Sequence, residues 1–129
     1  MDDIARRTRP VFQGFPQVKL AYLFGSRASD SAGPLSDYDF AVYIDEADPG
    51  KALDVELDLQ DRLRRALQTD AVDVLALHRT ESPELKYNAI ARGLLIHEVE
   101  PFAVLIEPKI LNEYFDFRAV LRRHGLTQS

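Results

Sequence analysis

No cysteine occurs anywhere in the 129 residues. That absence removes a disulfide framework, a thiolate metal site and a cysteine nucleophile together. Histidine is nearly as scarce, with three scattered copies, so a zinc site is not expected and His78 and His124 read as surface residues. No apolar run approaches the roughly 20 residues that cross a bilayer. The opening stretch MDDIARRTRP carries charges with no apolar segment behind them, so neither a membrane span nor a signal peptide is expected and the cytoplasm is the simplest location. An excess of positive charge is missing as well, because 16 basic and 21 acidic residues leave a formal net charge of −5. Nucleic-acid binders usually present a basic face to phosphates, so direct nucleic-acid binding is disfavoured. The short clusters Arg6–Arg7–Arg9, Arg62–Arg64–Arg65 and Arg118–Arg122–Arg123 read as solvated helix faces. Repeats, low-complexity tracts and long linkers are also absent, which leaves residues 1–129 as one domain.

What is present suits a compact α/β fold. The 46% apolar content can fill a core, and the length is typical of a single domain. Residues 2–14 read as a helix ending near Gly14 and Pro16. VKLAYLF (18–24) is apolar on both faces and suits an inner strand. DYDFAVYID (37–45) alternates, with Phe40, Val42 and Ile44 on one face and Asp37, Asp39, Ala41 and Tyr43 on the other. Residues 51–68 alternate like a strand at their start, but their length and their Leu, Glu, Gln, Arg and Ala content favour one helix. AVDVLAL (71–77) reads as a further inner strand. Ser82 and Pro83 start a helix that Gly93 stops, LLIHEV (94–99) reads as an edge strand, and the segment from 101 to 124 reads as a helix that Pro108 should break or kink. The expected fold is a two-layer α/β domain with a mixed sheet.

Chemistry concentrates between residues 24 and 42, FGSRASDSAGPLSDYDFAV. Asp37 and Asp39 stand at i and i+2 on a strand, so both carboxylates project from one face. Two such carboxylates repel and raise each other's proton affinity unless a cation sits between them. Mg²⁺ is the natural cation, since it takes hard oxygen ligands and completes its shell with waters and substrate phosphates. Asp73 interrupts an apolar strand, where an unpaired carboxylate is costly to bury, and it joins the pair if that strand lies alongside. Gly25–Ser26 stands where a strand gives way to a loop, with a backbone that can approach a phosphate and a hydroxyl that can donate to it. A phosphate cradle beside a carboxylate cluster is what phosphoryl or nucleotidyl transfer needs. Each part alone is weak: a Gly-Ser pair is usually a turn, and Asp-x-Asp at a strand start is usually loop solvation.

Together, Gly25–Ser26, ten intervening residues and Asp37–Tyr38–Asp39 reproduce the pattern of the DNA polymerase β-like nucleotidyltransferase superfamily. More narrowly, the chain resembles the minimal nucleotidyltransferase (MNT) antitoxins of HEPN–MNT toxin–antitoxin systems in its length, in SPELKYNAIARGLLIHE and in the terminal helix with EYFDF. The resemblance implies a nucleotidyltransferase fold in which Asp37, Asp39 and Asp73 are catalytic and bind Mg²⁺. It implies that Gly25, Ser26, Arg27 and Ser36 hold ATP. The implied activity is that of a type VII-like antitoxin, moving AMP from ATP to a tyrosine hydroxyl of a cognate HEPN RNase toxin with which it forms a hetero-oligomer. Two alternatives stand beside it, a non-catalytic antitoxin that neutralises by binding and a nucleotidyltransferase acting on a small molecule. The chain departs from the common GSRARG in reading GSRASD, which places Asp30 in the phosphate loop and leaves Gly33 to supply the bend. Arg92-x₄-His97 matches the spacing of the RNase motif of HEPN partners, but Gly93 intervenes and His97 falls on an expected strand, so the RNase reading is set aside.

Overall fold

The computed structural model describes residues 2–28 and 37–125. In chain order the elements are α1 (Asp2–Gln13), β1 (Val18–Phe24), a 3-10 turn (Gly25–Ala28), β2 (Tyr38–Ile44), α2 (Pro49–Leu67), β3 (Val72–Ala76), α3 (Pro83–Arg92), β4 (Leu94–Glu98) and α4 (Phe102–Arg123). The expected order of helices and strands is the observed one.

Local chemistry explains the boundaries. The Asp48 side chain accepts from the amides of Gly50 and Lys51, and Pro49 occupies the first helical position, which starts α2 where the sequence pattern was ambiguous. The leucines of α2 divide by helical period: Leu59 and Leu63 are fully buried, while Leu53 and Leu57 are exposed. Ser82 caps α3 by accepting from the Leu85 amide at 3.2 Å. A Cβ on Gly93 would lie 2.1 Å from the Ala89 carbonyl oxygen and 3.0 Å from that of Leu23, so only glycine lets α3 end this close to β1. Pro108 does not break α4. Val104 and Pro108 both lie on its exposed side, where water can take the carbonyl that the proline ring leaves unpaired.

The four strands form one sheet in the order β3-β2-β1-β4, with β1 antiparallel to β2 and β4 and β2 parallel to β3. The sheet is mixed, as expected, and β4 is an edge. The expectation that residues 71–77 form an inner strand is corrected: β3 is the other edge. Its apolar run reflects cover on its faces, and which strand pairs beside it is not written in that run.

Each face of the sheet carries two helices. On one face Phe40, Val42, Ile44, Val18, Ala21, Leu23 and Val72 pack with Phe12 and Phe15 and with Leu59, Leu63 and Leu67 of α2. A register shift between Val18 and Leu20 puts Val18 and Ala21 on the same side. On the other face Leu20, Tyr22, Ala41 and Leu77 pack with Ala89 of α3 and with Ala103 and Ile110 of α4. Buried Tyr22 donates to the Glu107 carboxylate at 2.5 Å, tying α4 to β1. Burial first, and then that carboxylate, push the Tyr22 hydroxyl's pKa well above its ordinary range. The mixed α/β sheet thus lies between two helix layers, α1 with α2 and α3 with α4, one layer more than the expected two-layer arrangement.

Candidate nucleotide site at one end of the sheet

The site is built where β1 ends and β2 and β3 begin. Phe24 pairs with Asp39, and Asp39 pairs with Asp73, so one row runs straight across three strands. Adjacent strands lie about 4.8 Å apart, which brings the Asp39 and Asp73 side chains up as neighbours. Phe24, Ala41, Tyr43 and Leu75 share a face packed with the α3/α4 core, and the two-residue period places Asp37, Asp39 and Asp73 on that same face. Asp73 is exposed and not buried, because β3 is an edge strand. Its carboxylate therefore avoids the burial cost anticipated from the sequence and still joins the row.

The electrostatics follow from that row. Burial, then the Asp73 carboxylate, then that of Asp37, hold the Asp39 carboxyl above the ordinary carboxylate range. Among the described residues none of the three carboxylates makes a hydrogen bond or ion pair. Nor do three His, Asp or Glu side chains among them converge into a ready-made cation cage. The donor set nevertheless suits a hard divalent cation: a half-buried carboxylate repelled by two neighbours, with two exposed side chains that can turn to meet it.

Gly25 closes the row. Its φ is +74°, and a Cβ there would lie 2.6 Å from Asp39 Oδ2. The turn backbone thus touches the central carboxylate, and glycine is needed for both its conformation and its space. Ser26 follows within the same turn. The Arg27 guanidinium lies 4.2 Å from the centroid of the Tyr38 ring, and Tyr38 packs against the α1/α2 core. Ser36, with Asp30 and Gly33, lies outside the described residues.

Beside Gly25 a groove of about 400 Å³ opens between the end of β1 and α3, lined by Phe24, Gly25, Ala28, Leu85, Asn88 and Arg92. This wall was not among the site residues expected from the sequence. Leu85, Asn88 and Arg92 recur at i, i+3 and i+7 on an expected helix, so their sharing one face was legible; what that face looks at was not. The RNase-like spacing dissolves here, because Arg92 lines this groove whereas His97 stacks on Phe12 of the opposite core at 5.9 Å.

Residues 7–101 match the family described as Polymerase beta, Nucleotidyltransferase. The chain belongs to that family. No curated protein sequence matches it. Among solved structures it resembles a chain of a toxin–antitoxin complex with AMP-PNP, at 23% identity and a TM-score of 0.75, over 92% of this chain and 93% of the other. It also resembles a chain of the MntA–HepT toxin–antitoxin, at 22% identity and a TM-score of 0.70, over 95% and 94%. A third likeness is to the complex of tri-AMPylated Shewanella oneidensis HEPN toxin with MNT antitoxin, at 22% identity and a TM-score of 0.68, over 95% and 92%. These likenesses carry the shared nucleotidyltransferase fold across nearly the whole length. No described helix is long and apolar enough to cross a membrane.

Proposed function

We propose that this chain is the antitoxin of a HEPN–MNT pair and moves AMP from ATP to a tyrosine hydroxyl of its cognate HEPN toxin. The observation that carries this reading is the row Gly25, Asp39, Asp73, with Asp37 beside it, at one end of the sheet. Family membership supports nucleotidyl transfer, and the AMPylated HEPN toxin in one similar complex supports the choice of acceptor.

Asp37 and Asp39 would hold Mg²⁺, with Asp73 completing the set. When bound, the ion would neutralise charge on the triphosphate and lower the pKa of the acceptor hydroxyl. The backbone of Gly25 and Ser26 approaches the phosphates, with Ser36 as a further contact, whereas Arg27 stacks on Tyr38 toward the other face. The exposed Asp73 carboxylate takes the tyrosine proton as the phenolic oxygen bonds to the α-phosphorus. The bond from that phosphorus to the bridging oxygen breaks, and pyrophosphate leaves with the electron pair.

Incubating the chain and its HEPN partner with α-labelled ATP and Mg²⁺ tests the reading. Label should appear on the partner and fall by about 10²–10³-fold with Asp39→Ala, the scale of removing one electrostatic stabiliser of a transition state. Neutralisation of the toxin that survives intact in Asp39→Ala would instead identify an antitoxin that works by binding.

A further inference from the structure

Resting on nucleotidyl transfer at this site, we infer that Arg92 binds the β,γ-phosphate end of the nucleotide and stabilises the departing pyrophosphate. Three observations meet here. The strand order gives the site a direction, Asp73 on β3, Asp39 on β2 and Gly25 at the end of β1, and the groove walled by α3 opens beside Gly25. The group that takes the acceptor's proton stands at one end of that line, so the leaving group departs toward the other. In-line displacement requires attacking and leaving oxygens on opposite sides of the phosphorus.

The second observation is charge. Three carboxylates sit on this face, and a triphosphate laid along Gly25 needs a cation beyond them. Arg92 is exposed, lines the groove and makes no hydrogen bond or ion pair among the described residues. Arg27, by contrast, stacks on Tyr38, whose ring belongs to the opposite face. The third is the wall that carries it. Gly93 allows α3 to end against the Leu23 carbonyl, which fixes the helix end that bears Arg92. Asn88, one turn earlier on the same groove wall, offers an amide to the same oxygens. A guanidinium forks onto phosphate oxygens in a way an ammonium does not.

Calorimetric titration of the full chain with Mg-ATP, Mg-pyrophosphate and AMP tests the assignment. Arg92→Ala should weaken ATP and pyrophosphate by about 10–100-fold, the range of a lost charge-assisted contact, and leave AMP unchanged. Arg92→Lys should fall between. Lys51→Ala, at the opposite end of the sheet in the first turn of α2, removes the same charge and should change none of the three. Melting curves matching the wild type exclude a folding defect. Pyrophosphate affinity unchanged in Arg92→Ala, or AMP weakened as much as pyrophosphate, overturns the inference. If the wild type still labels its partner in that case, nucleotidyl transfer survives. A wild type that binds no ATP and transfers no label overturns both.

Discussion

On the α1/α2 face, Phe12, Phe40, Leu59 and Leu63 are sealed from water and the edge-on contact of Phe12 with Phe40 closes the centre at 5.7 Å. On the α3/α4 face, the same strands bury Leu20 and Tyr22 in the middle but leave three carboxylates and a groove at one end, and α4 exposes Val104, Leu105 and Phe115. One face is closed by its helices; the other is packed through its middle and open at the site. Alternation along β2 makes this possible, because Phe40 and Asp39 are neighbours in sequence and point to opposite sides. Stability and chemistry therefore answer to different substitutions.

The sharpest way to break this division is Leu63→Ala. A fully buried leucine cut to alanine should cost about 2–5 kcal/mol, a large part of a small domain's total. Urea denaturation measures it, and nucleotide affinity in the fraction still folded should be unchanged. A smaller and opposite signature is expected from Gly25→Ala. Positive φ alone costs a non-glycine residue about 1–2 kcal/mol, and the added methyl must displace the Asp39 carboxylate, so Mg-ATP affinity should fall more than thermal stability does. Equal losses in both would show that the carboxylate row matters to folding as much as to binding.

The smallest effect is on pH dependence. His97 is half-buried against Phe12, and burial holds its imidazole below its ordinary pKa despite the contact with the Val18 carbonyl. With the folded pKa depressed, stability is present above about pH 6.5 and is lost as pH falls toward the folded value, because the unfolded state takes up the proton first. His97→Phe keeps a ring against Phe12 and should flatten the decline in melting temperature below about pH 6.5. Burial depresses His78 as well, so some slope should remain. An unchanged slope would rule out His97 as its source.

Much of this was legible in sequence because it depends on near neighbours. The two-residue period of DYDFAVYID separated the core face from the carboxylate face, and Ser82, Pro83 and Gly93 marked both ends of α3 through backbone chemistry that needs no tertiary partner. The spacing from Gly25–Ser26 to Asp37 and Asp39 identified the family. Other features were illegible for an equally physical reason. AVDVLAL reads the same whether it pairs on one side or both, so only the folded sheet made β3 an edge and left Asp73 in water. Arg27 stood beside the motif in sequence yet lies on Tyr38 in space, whereas Arg92, 67 residues after Gly25, lines the groove next to it. Local periodicity determined which residues share a face. Which faces meet is set by packing between distant segments, and only the tertiary structure decided that.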